Sequence, residues 1–230
     1  MRAAILQLEG QRLAALRARL REMLKQALAV QQEVSAETEL TDELRVRGAA
    51  LTRAQQLELA ALAARQAAVG QGAGEALALL REDGSSAALP ALVEGVVDDA
   101  AACADLLGGG DTGAAVRAWQ REIEAALKVA LEVLAAEQPP ASGEPPRPRE
   151  QPEREPEGMA LLDVAGELRL TRTMQASVKR LTGDLEATRD ATGRLPDGAK
   201  RSLERLAEGQ RRVTAALAAV DEALTMREEQ

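Results

Sequence analysis

Residues 13–34 read LAALRARLREMLKQALAVQQEV. Leu13, Leu16, Leu20, Met23, Ala27, Val30 and Val34 step by three and four in alternation, which lines up one apolar seam on a helix that pairs with another helix. Leu203, Leu206, Gln210, Val213, Leu217, Val220 and Leu224 repeat the pattern near the other end of the chain. A third seam precedes it, through Leu161, Val164, Leu168, Thr171, Gln175, Val178, Thr182 and Leu185. These seams predict an all-α protein built of long antiparallel coiled-coil hairpins that form a helical bundle.

Composition points the same way. The 230 residues include no His, Phe, Tyr or Asn and one Trp, while 46% are hydrophobic, mostly Ala, Leu and Val. A core of thin aliphatic layers suits helix against helix, and Val and Ile never gather into the alternating runs of a sheet. The Ala and Arg bias, with four Lys, reads as the signature of a GC-rich genome and carries no functional weight.

Breaker residues divide the pattern. The first helix is expected to reach about Arg47 and to break at Gly48, and Thr52-x-x-Gln55 forms a capping box that opens a second helix to about Val69. Gly70, Gly72 and Gly74 read as a flexible joint, followed by a short helix over 75–82 and a turn at 84–86. Pro90 suits the first turn of the next helix, which buries Val93, Val96 or Val97, Ala100, Cys103 and Leu107 and ends at Gly108–Gly110. Asp111 or Thr112 then caps a helix that buries Val116, Trp119, Ile123, Leu127, Ala130 and Leu134. Seven of the nine prolines fall between Pro139 and Pro156, the composition of an extended linker. The organisation expected is therefore an N-terminal hairpin (1–70), central helices (71–138), a disordered Pro/Glu/Arg linker (139–158) and a C-terminal hairpin (159–230).

The two hairpins read as copies of one another. Gln31, Val34 and Thr38 share their spacing with Gln175, Val178 and Thr182. On the partner helices Leu59, Leu62, Ala63, Gln66 and Val69 match Leu203, Leu206, Ala207, Gln210 and Val213. Gln31 to Gln66 and Gln175 to Gln210 are both 35 residues apart and straddle their turns nearly symmetrically, so each glutamine pair is expected to meet as a register layer. The plainer reading makes these glutamines surface helix formers.

Motifs that would carry chemistry fail on context. Gly108-x-Gly110-x-x-Gly113 spells a dinucleotide fingerprint, but a helix precedes it where a strand is needed, and a C-cap followed by an N-cap accounts for its residues. Gly193-x-x-x-x-Gly198 lacks the adjacent Lys and hydroxyl of a phosphate loop. Without His there is no Ser-His or Cys-His pair and no imidazole ligand. Glu94, Asp98 and Asp105 share a helix face that reads as solvated acid, and Cys103 and Trp119 read as core. No catalytic residue, metal or cofactor is expected, and the chain is read as not an enzyme.

Charge is unevenly distributed about a net value of −8. That balance argues against broad nucleic-acid binding. Residues 1–30 carry six bases against two acids, and residues 71–111 carry eight acids and one base, Arg81, so these two regions are expected to attract each other. No run of eighteen uncharged apolar residues occurs, and the N-terminus meets Glu9 too early for a secretory core, which predicts a cytoplasmic chain with envelope association left open.

The matched hairpins, the Gly110-Asp111-Thr112-Gly113 turn leading into Gln120, and the Pro/Glu/Arg linker together resemble helical coiled-coil proteins of GC-rich bacteria, planctomycetes especially. That resemblance implies no activity. The function expected is a non-enzymatic coiled-coil scaffold or protein-interaction protein, with a second copy or another helical protein as partner. The alternative is a peripheral membrane-surface or envelope-associated protein that docks through its basic amphipathic segment 1–30.

Overall fold

The apolar seams become six helices in a computed structural model, which describes residues 2–44, 51–136, 160–190, 192–195 and 199–228. They are α1 (Arg2–Leu44), α2 (Arg53–Asp83), α3 (Ala88–Gly108), α4 (Ala114–Ala136), α5 (Val164–Glu186) and α6 (Ala199–Glu228). Among the described residues there is no strand. The proline-rich segment 139–158 and the expected break at Gly48 lie outside the described residues.

Local chemistry sets the helix ends. At the start of α2, Thr52 Oγ1 accepts from the Gln55 N–H at 3.3 Å while Gln55 Oε1 accepts from the Thr52 N–H at 3.0 Å, a complete capping box. The helix stops at Gly84, whose φ of 66° is left-handed and whose N–H reaches the Leu80 carbonyl. Between those ends α2 runs unbroken through Gly70, Gly72 and Gly74, so the expected joint is absent and the 70/71 boundary cuts a continuous helix. The reason is close packing. A Cβ on Gly70 would sit 3.3 Å from the Ala100 Cβ, and fully buried Ala73, Ala76 and Ala100 extend this tight contact of α2 with α3. A mid-helix glycine costs about 1 kcal/mol of propensity, which that packing offsets at Gly70; Gly72 and Gly74 have open space around them.

Side-chain pairs give the topology. Arg12 with Asp83 and Arg65 with Glu37 make α1 and α2 antiparallel; Arg81 with Glu94 and Gly70 with Ala100 do the same for α2 and α3. α3 packs on α4, where Cys103 lies against the Val116 carbonyl. α1 packs on α4 with Thr38 beside Gln120 and Asp42 beside Arg117, closing α1–α4 into an up-down-up-down four-helix bundle. α5 and α6 pair with each other and pack on α3 and α4. The molecule is therefore three hairpins in layers, and the helices expected to form a central spacer are the middle layer, covered on both sides.

The seam of α1 is rotated from the expected one. Leu13, Leu20, Leu24, Ala27, Gln31, Val34, Thr38 and Thr41 are buried, whereas Leu16, Met23 and Val30 are half-buried at its edge. Contact with two helices, α2 and α4, centres the stripe one residue later and leaves Leu16, Met23 and Val30 as flank. Arg17 occupies the seam position between Leu13 and Leu20, with Nε donating to the Leu161 carbonyl at 2.9 Å and Nη2 to that of Ala160 at 3.2 Å. The buried stripes of α3 and α4 include every residue named for them except Val97, which is half-buried. Among the described residues, no helix is long and apolar enough to cross a membrane.

Candidate interaction surface

Gln31 and Gln66 are fully buried and meet between α1 and α2. Gln66 Nε2 donates to Gln31 Oε1 at 2.7 Å, and Gln31 Nε2 returns a longer bond to Gln66 Oε1 at 3.4 Å and one to Ser35 Oγ at 3.1 Å. α4 covers this pair with Gln120, whose Nε2 donates to Gln66 Oε1 at 3.3 Å and to Thr38 Oγ1 at 3.1 Å. One turn away, Thr112 Oγ1 donates to Asp42 Oδ1 at 2.9 Å. A polar layer in an aliphatic core holds one register, because a slip orphans buried amides at about 1–3 kcal/mol each. Gln120 was quoted from the sequence as the end of a turn motif; that it sits at a core position of α4 was readable from its spacing, four residues after Val116 and three before Ile123.

On the C-terminal hairpin the matched positions stand differently. Gln175 and Gln210 are exposed and form no buried layer, which corrects the expected second register pair. Of the expected α6 seam, Val213 and Val220 are buried and Leu206 is half-buried, but Leu203, Leu217 and Leu224 are 47%, 45% and 36% exposed. On α5, Leu168, Gln175 and Thr182 are exposed as well. Members of each set lie seven residues apart, so each set forms a stripe along its helix. Val178 against Gly209 fixes the antiparallel register of α5 and α6, which brings Leu168 near the level of Leu217, Gln175 near Gln210 and Thr182 near Leu203, each offset by about two residues, or about 3 Å.

Charge explains the rotation. α6 turns its Arg205 and Arg212 flank to α3, and the Leu203, Gln210 and Leu217 stripe stays exposed. Arg205 Nε and Nη2 donate to Asp99 Oδ1 and Oδ2, both at 2.5 Å, and its guanidinium lies 4.6 Å above the Trp119 ring. Arg212 pairs with Asp98. On α5, Arg180 Nε donates to Glu122 Oε1 at 2.7 Å and Ser177 Oγ to Glu122 Oε2 at 2.5 Å. Glu167 reaches the start of α3, where Ser86 Oγ already accepts from the Leu89 N–H at 3.3 Å; Glu167 accepts from the N–H groups of Ala87 and Ala88 at 3.1 and 2.6 Å and meets the positive end of the helix dipole. The acidic segment thus spends Asp98 and Asp99 on α6; of the basic residues in 1–30, Arg12 reaches Asp83 at 3.0 Å.

This docking layer is polar and loosely filled. A cavity of about 90 Å³ lies among α3, α4, α5 and α6, with Gly95, Ala126, Met174 and Gly209 in its walls. Arg205 Nη1 and Arg212 Nε are buried beside it without a hydrogen-bond partner. Burial pushes the Asp99 carboxyl above the ordinary carboxylate value, against the pull of the Arg205 hydrogen bond. Cys103, fully buried between α3 and α4, has its thiol pushed up to about 12 by burial first and by Asp99 second. Among the described residues no three His, Cys, Asp or Glu side chains gather into a metal-holding group. The surface that stands out is the outer face of α5 and α6.

The chain was compared with protein-family models, with curated proteins and with solved structures, and nothing matches in any of the three.

Proposed function

We propose that this protein is a non-enzymatic helical scaffold, which binds another protein through the free heptad stripe of its C-terminal hairpin. The observation that carries the reading is the exposure of Leu203, Leu217 and Leu224 in heptad register with Gln210 on α6, and of Leu168 in heptad register with Gln175 on α5. Solvent gains nothing from leucines held on one heptad stripe, whereas a partner helix uses each one.

The membrane reading draws less support. Leu13, Leu20, Leu24 and Ala27 of the 1–30 segment are buried inside the bundle, and among its described side chains Ile5 and Leu8 are the exposed large apolar ones. The test is a photo-crosslinking residue at position 217 in the producing cell. Products joined to a heptad-patterned helix of any polypeptide support the scaffold; recovery of uncrosslinked chain alone sinks it.

A further inference from the structure

We infer that the outer face of α5 and α6 is a homodimerisation surface, onto which the same face of a second copy packs. Its register layer would be Gln175 and Gln210 from both chains. This inference rests on the scaffold reading and names its partner.

The chain contains its own template for the assembly. On the N-terminal hairpin, Leu24, Gln31 and Thr38 of α1 and Leu59, Gln66 and Ala73 of α2 form a face that is at most 2% exposed. That face is closed by two further antiparallel helices, and a glutamine from the covering hairpin, Gln120, bonds to the glutamine pair. The positions that match by spacing on the C-terminal hairpin are Leu168, Gln175 and Thr182, and Leu203, Gln210 and Leu217. The side chains are again leucine on the outside, glutamine at the centre and threonine at one end. What is missing is a covering hairpin with a glutamine at its middle.

No other part of this chain supplies that cover. α3 and α4 are occupied between the two hairpins. The segments outside the described residues are residues 1, 45–50, 137–159, 191, 196–198 and 229–230; the longest contains seven prolines, and none carries two heptad-patterned stretches. The outer face of α5 and α6 is itself a two-helix layer with glutamine at its centre, so a second copy meets the requirement by a two-fold axis, residue for residue.

Size sets the strength expected. Two helices side by side are about 20 Å wide, and about 30 Å of shared length gives roughly 600 Å² per copy. That is at the low end for a specific interface, so the dimer is concentration-dependent, with Kd in the micromolar range.

The experiment is sedimentation of the full chain from about 1 to about 200 µM, a range spanning that Kd. Three proteins are compared: wild type, the double variant Leu203→Glu with Leu217→Glu, and a control with Leu40→Glu and Leu57→Glu at exposed leucines elsewhere. Circular dichroism verifies that each is folded, which substitution at exposed positions permits. The result expected is that wild type and control pass from 24.3 kDa to twice that mass, while the first double variant stays monomeric throughout. A wild type that stays monomeric overturns the inference, as does a first double variant that still dimerises or a control that loses the dimer. A monomeric wild type whose position 217 nevertheless crosslinks to another helical protein in cells removes the second copy and leaves the scaffold standing.

Discussion

The two outer hairpins carry nearly the same pattern and meet opposite fates. On α1 and α2 the matched residues Gln31, Val34, Thr38, Leu59, Leu62, Gln66 and Val69 are all buried. On α5 and α6 their counterparts split: Val213 stays buried, Val178 and Leu206 are half-buried, and Gln175, Thr182, Leu203 and Gln210 face outward. The difference lies in what α3 and α4 offer each hairpin. To α1 and α2 they offer apolar seams and Gln120; to α5 and α6 they offer Asp98, Asp99, Glu122 and the first N–H groups of α3. A heptad seam says which residues can pack, and the partner's chemistry decides which edge of it does.

The comparison breaks most visibly if equal leucines cost equally. Leu59→Ala removes a side chain that is 2% exposed and should cost about 2–5 kcal/mol, whereas Leu203→Ala, at 47% exposed, should cost about 0.5 kcal/mol or less in dilute solution. Urea midpoints measure both, and equal losses would mean that the C-terminal hairpin is buried as deeply as the first.

The glutamine layers give a smaller and more specific contrast. Gln66→Ala strands the amides of Gln31 and Gln120 and should cost about 2–3 kcal/mol, while Gln210→Ala in dilute solution should be close to neutral. A neutral Gln66→Ala would remove the register role from the first hairpin too.

A third contrast is kinetic. With its thiol near 12, Cys103 is about one part in ten thousand thiolate at pH 8, so a thiol reagent should modify it at the rate of global unfolding. A second thiol placed by Leu217→Cys should react at once in dilute solution and slow down as concentration rises. Modification of Cys103 at the rate of a free thiol would show that the α3/α4 layer opens locally, and that the covered side is no firmer than the free one.

Much of this was legible in the chain. The capping box at Thr52 and Gln55, the glycine ends near 84 and 108–110, and the stripes of α3 and α4 follow from local hydrogen bonding and period alone. The Gln31 and Gln66 contact was also legible, since spacing about one turn fixes which residues of an antiparallel pair meet. The failures share a cause. Gly70 reads as a joint until Ala100 packs against it, and Asp98 and Glu94 read as a solvated acidic face until Arg212 and Arg81 meet them.

The sequence by itself determined the helices, several of their ends and the Gln31 and Gln66 contact, because these depend on residues within one helix or across one turn. The tertiary structure alone decided that α3 and α4 form the middle layer, that α2 runs through its glycines, and that the C-terminal hairpin turns its leucine and glutamine stripe outward. Those outcomes depend on which surface of a third helix is apolar and which is charged. A period of seven carries no information about that until the helices are stacked.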